Sequence, residues 1–118
     1  MKKTFTTIIL VLVISSCSIF SSLTSTTTIR PNESFFLGNN EHGSFKVLLK
    51  NISNHELRIV MAPIAGGTHS PITVSPNETV TVKADRNTAL VIENKSIEQA
   101  NVTLKVTGDT GLSMGYKN

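Results

Sequence analysis

The side chains able to do chemistry in this chain are few and widely spaced. Metal binding would fall to His42, His55 and His69, with Met61 and Met114 as soft ligands for copper. A metal site needs several ligands converging on one point. No two of these histidines stand two or four residues apart, the spacing that sets two ligands on one face of a strand or helix. Both methionines fall on the apolar register of alternating segments, where a thioether fills a core. No metal site and no cofactor is therefore expected.

Nucleophilic catalysis has material but no arrangement. Serines are abundant and Asp85 and Asp109 are available, yet no Gly-x-Ser-x-Gly elbow lifts a serine onto a strained turn. A chain of 118 residues also leaves little room for a cleft in which paired carboxylates could hold a sugar. The reading is that the protein is not an enzyme. Its longest irregular stretch is Ala62-Pro63-Ile64-Ala65-Gly66-Gly67-Thr68-His69-Ser70-Pro71, which lacks the Lys-Ser/Thr ending of a phosphate-binding loop. Loops on rigid β scaffolds carry much of the binding that such scaffolds do. Gly66, Gly67, Thr68 and His69 are therefore the candidate contact residues.

Charge narrows the partners. Of the 11 basic residues, Lys2 and Lys3 belong to the first segment, leaving nine against eight acidic residues from Cys17 onward. Lys46, Lys50, Arg58, Lys83 and Lys105 alternate with apolar residues and read as solvated strand faces rather than a basic stripe. Nucleic acid is not an expected partner. With no Trp and a single Tyr, stacking against sugars is not expected either.

The first 17 residues carry a different chemistry. Met1-Lys2-Lys3 is a basic start, and Ile8 to Ile14 is an unbroken apolar run. That run falls far short of the roughly 20 residues needed to span a bilayer, and the pattern is that of a secretory signal peptide. It ends in Ile14-Ser15-Ser16-Cys17, an aliphatic residue, two small residues and a cysteine. This resembles the lipobox of bacterial lipoproteins, over residues 1–17 only. The resemblance implies that residues 1–16 are removed and that Cys17 becomes the first residue, carrying diacylglycerol and a further acyl chain such as palmitate. Each buried CH₂ contributes about 0.8 kcal/mol, so two or three chains hold a protein at the bilayer. The resemblance also implies an address. Ser18 rather than aspartate after the cysteine, and no acidic cluster beyond it, point to the outer membrane and its periplasmic face. Cys17 is the only cysteine, so the folded part contains no disulfide.

The elements follow from periodicity. Residues 17–28 are Ser/Thr-rich and uncharged and read as a flexible tether. From 29 to 118 apolar and polar residues alternate with the period of half-buried strands, as in Phe45-Lys46-Val47-Leu48-Leu49-Lys50 and Ala100-Asn101-Val102-Thr103-Leu104-Lys105-Val106. Ala89-Leu90-Val91-Ile92 is apolar throughout and predicts a central strand buried on both faces. Turn residues separate the segments at Ser75-Pro76-Asn77-Glu78, Asp85-Arg86-Asn87 and Gly108-Asp109-Thr110-Gly111. The expected fold is all-β: a small antiparallel β-sandwich of seven or eight strands, immunoglobulin-like or cupredoxin-like, with a small barrel as the alternative. Asn-x-Ser follows an apolar strand twice, at Asn51 and Asn94, as at any strand-to-turn exit. Sequons also begin at Asn32, Asn77 and Asn101, and all five asparagines read as turn residues.

These readings lead to a non-enzymatic envelope lipoprotein whose β domain binds or assembles with an envelope protein. Two alternatives are a periplasmic small-ligand or metal carrier and a small inhibitor or immunity factor.

Overall fold

The computed structural model describes residues 22–118. Nine strands follow one another: β1 (Ser22–Ile29), β2 (Ser34–Leu37), β3 (Phe45–Asn51), β4 (Leu57–Pro63), β5 (Ile72–Val74), β6 (Thr79–Ala84), β7 (Thr88–Glu93), β8 (Ala100–Gly108) and β9 (Met114–Lys117). They form a four-stranded sheet in the order β1-β8-β3-β6 and a five-stranded sheet in the order β5-β4-β7-β2-β9. The all-β sandwich expected from alternation is present, open at its edges rather than closed into a barrel.

The pairings are nested. β1 pairs with β8, β2 with β7, β3 with β6 and β4 with β5, all antiparallel. The chain is thus one long hairpin, folded at the β4–β5 connection and wound up so that successive pairs alternate between sheets. This is the winding of a jelly roll, with β9 added at the free edge of β2. It differs from the immunoglobulin order, in which the first two strands are neighbours. Alternation fixes which face of a strand is buried, but not which strand lies beside it.

The core is the set of inward residues that alternation singles out. Phe45, Val47 and Leu49 of β3, Val102, Leu104 and Val106 of β8, and Leu90 and Ile92 of β7 are all at most 2% exposed. Ala89 and Val91, on the opposite face of β7, are also buried, as expected of a central strand.

Two differences from the sequence reading matter. The stretch 17–28 expected as a tether is a strand from Ser22 onward. Residues 18–21 and Cys17 lie outside the described residues. Composition misleads because the inward positions of β1 are Leu23, Ser25, Thr27 and Ile29, so hydroxyls stand where alternation looks for apolar groups. Thr27 and Ile29 are nevertheless buried, and β1 is held along its length by β8, from Ser22 opposite Thr107 to Ile29 opposite Ala100. β-branched threonine suits such a half-covered strand. Met114 is the second difference. Register places Met114 opposite Leu37 and Tyr116 opposite Phe35, both on the inward side. They remain 47% and 53% exposed, because β9 is the fifth strand of a sheet facing only four. Tyr116 covers the sandwich edge instead, its ring 5.3 Å from that of Phe35.

Candidate functional site

The residues singled out for metal chemistry do not come together. His42 is buried in the β2–β3 connection, with Nε2 3.0 Å from the Thr88 carbonyl oxygen and Nδ1 against that of Gly43. Its ring meets Phe45 edge-on at 5.1 Å. Both ring nitrogens face backbone carbonyls, so His42 acts as a peg between loops. His55 pairs with Glu98. Met61 is buried in the core, whereas His69 and Met114 are exposed. Among the described residues no three of the His, Cys, Asp and Glu side chains are grouped to hold a metal ion.

The candidate loop is exposed from Ile64 to Pro71 and includes Gly66, Gly67, Thr68 and His69. Gly66 and Gly67 take φ of 119° and 83°, which side chains resist. The loop is held by backbone bonds: Gly66 N donates to the Pro63 carbonyl at 2.9 Å, Ile64 N to that of Asn87 at 2.9 Å, and His69 N to that of Met61 at 3.0 Å. Asn87 also accepts from His42 N through its side chain at 2.9 Å, joining loop and peg.

The repeated Asn-x-Ser is more than two similar exits. Asn51 and Asn94 are 0% and 1% exposed. In each copy the asparagine Oδ1 accepts from the backbone N and the Oγ of the serine two residues on: 3.0 and 2.6 Å from Ser53, 3.1 and 2.7 Å from Ser96. The single Oγ–H is shared with the carbonyl of the residue two further on, His55 or Glu98, at 3.0 and 2.8 Å. Those two residues are the ones whose side chains meet. The nested winding puts the β3–β4 and β7–β8 connections at the same end, and the repeat locks them to each other. Asn32 and Asn77 are turn residues with positive φ, as expected. Asn101 is not: it lies within β8 and accepts from Thr28 Oγ1 at 2.7 Å.

The largest departure from the sequence reading is a charged face. β1, β8, β3 and β6 together contain Lys46, Lys50, Lys83 and Lys105, no arginine and no carboxylate. All four lysines point outward from the sandwich and are exposed. Register makes them contiguous. Lys46 stands directly opposite Lys83, and Lys105 stands opposite Leu48, hence diagonal to both Lys46 and Lys50. Like charges directly opposite across a ladder are destabilising. Among the described residues none of these lysines has a carboxylate within ion-pair distance; the two ion pairs there join His55 to Glu98 and Arg58 to Glu93. The sequence expectation of no basic stripe is therefore corrected: residues scattered over 60 positions are gathered by strand order.

Hydroxyls fill the spaces between the lysines. Thr24, Thr26 and Thr28 of β1 and Thr79 and Thr81 of β6 are exposed on this face, and Leu48, 46% exposed, sits near its centre. Two shallow depressions mark it. One of about 210 Å³ is lined by Thr24, Leu48, Lys50, Thr79, Thr103, Leu104 and Lys105. The other, about 290 Å³, lies between Lys46 and Lys83 beside Gly108. Neither is a deep cleft, so the face suits an extended anionic surface better than an enclosed small ligand.

The fold is what relates this chain to a known structure. Among solved structures it is similar to the Yersinia pseudotuberculosis-derived mitogen. The TM-score is 0.51 at 18% identity, over 80% of this chain and 95% of the mitogen. At that identity the likeness concerns the fold alone. No protein-family profile and no curated protein matches the sequence.

Proposed function

We propose that the protein is a cell-envelope lipoprotein, fixed to the outer membrane through Cys17 and facing the periplasm, whose sandwich is a non-enzymatic binding or assembly module. The observation that carries this is the position of β1. Its first residue, Ser22, comes five residues after the only cysteine. Five residues reach at most about 18 Å when fully extended. An acylated Cys17 would therefore hold the whole sandwich against the bilayer. The flat, hydroxyl- and lysine-bearing sheet and the engaged nitrogens of His42 favour surface contact over catalysis or metal carriage.

Fractionation tests the anchor. Wild-type protein should enter the membrane fraction and the detergent phase, and Cys17→Ser should shift it to the soluble fraction and aqueous phase. Unchanged partitioning of Cys17→Ser would end this reading. Cross-linking in intact envelopes should then recover an envelope protein with the wild type. Recovery of one enzyme, inhibited by the complex, would mark an inhibitor instead.

A further inference from the structure

We infer that the outer face of the β1-β8-β3-β6 sheet docks onto the anionic phospholipid headgroups of the membrane that carries the anchor. The inference deepens the anchoring proposal and rests on it for orientation only.

Charge complementarity is the first argument. The lysines at positions 46, 50, 83 and 105 form one connected cluster with no carboxylate on the four strands, although the chain after Cys17 is close to neutral overall. The cross-strand pair Lys46–Lys83 places like charges opposite each other, and phosphates supplied from outside relieve that repulsion. Threonine hydroxyls beside the lysines donate hydrogen bonds to phosphate oxygens. Exposed Leu48 at the centre can enter the headgroup layer.

Position is the second argument. Ser22 is exposed on this same face, in one row with Thr107, Lys46 and Lys83. Ser22 is five residues from Cys17, about 18 Å at full extension, so an anchored protein keeps this row of the basic face close to the bilayer. One lipid signal plus one basic patch is a recurring two-part membrane attachment. Nucleic acid would meet the same charges, but nothing joins it to this edge of the sheet.

The test uses the chain from residue 17 onward, which keeps every residue of the sandwich, with Cys17→Ser so that lipid plays no part. Binding is measured to phosphatidylcholine vesicles with and without phosphatidylglycerol. The protein should bind only the anionic vesicles, and the binding should fade as salt shortens the screening length to a few ångströms. Each lysine near an anionic surface strengthens binding about fivefold. Lys50→Gln with Lys105→Gln should therefore weaken it about 25-fold. Lys95→Gln with Lys117→Gln, both off this face, should change it less than about twofold. Equal losses in the two double variants, or no loss in the first, would overturn the inference. So would duplex DNA binding as tightly as the anionic vesicles at matched phosphate. Failure of the anchor reading shows separately, as equal binding of the native and Cys17→Ser proteins to neutral vesicles.

Discussion

Replacing Asn51 by alanine tests how the sandwich holds its loops. The side chain is fully buried and ties three segments together. Its Nδ2 donates to the His55 carbonyl at 2.8 Å and to the Val74 carbonyl at 3.1 Å, while Oδ1 accepts from Ser53 N at 3.0 Å and Ser53 Oγ at 2.6 Å. Alanine leaves the Val74 oxygen and the Ser53 N–H buried without these partners. A buried group that loses its partner costs about 1–3 kcal/mol, so the two together cost about 4 kcal/mol. That is a large part of the roughly 5–15 kcal/mol by which domains are stable. It corresponds to a fall in Tm of about 15–30 °C for a domain of this size. Urea unfolding followed by far-ultraviolet circular dichroism measures it, with a lowered midpoint and an unchanged slope. Ser53→Ala, which removes only the hydroxyl, should cost about 1 kcal/mol. A loss below about 1 kcal/mol for Asn51→Ala would show that the asparagine is not the tie described, and the reasoning about its buried partners would fail.

The second copy makes the same claim. Asn94→Ala removes donors from the Ile29, Arg30 and Glu98 carbonyls and should destabilise by a similar amount in the same urea assay, about 3–4 kcal/mol. Gly108 has φ of +97°, and a Cβ there would stand 2.9 Å from the Ser44 carbonyl oxygen. Gly108→Ala should therefore cost about 2 kcal/mol or more in thermal unfolding. Asp109 accepts from Gly43 N at 2.6 Å and Gly111 N at 2.8 Å, and these two bonds hold its carboxyl below the usual carboxylate range. Its contribution to stability is present above the unfolded value of about 3.9 and disappears as pH falls through the lower folded value. Unfolding from neutral pH to about pH 2 should show this loss in the wild type and not in Asp109→Asn. Lys83→Glu turns a repulsive cross-strand pair into an attractive one and should raise stability by about 0.2–1 kcal/mol, while weakening attachment to anionic vesicles.

What the sequence made legible was local. Alternation in β3, β6 and β8 gave both their existence and their buried faces, and Ala89–Ile92 declared a central strand by having no polar face. The turns at Asn77 and Asn87 followed from asparagine's tolerance of positive φ. β1 was hidden because hydroxyls occupy two of its inward positions, and β2 because Phe35, Phe36 and Leu37 are apolar in succession and show no alternation. The basic face was hidden for a different reason. Its lysines come from three strands that are neighbours only because the long hairpin winds up, and that winding leaves no mark on residue types. The duplicated Asn-x-Ser was visible as a repeated string, but its pairing through His55 and Glu98 depended on both loops reaching one end of the sandwich.

Acylation of Cys17 can be read from the intact mass of the protein extracted from native envelopes. The chain should begin at Cys17 and be heavier than its residues by a diacylglyceryl group and a further acyl chain. An unmodified mass, or a chain that begins at any other residue, would contradict it.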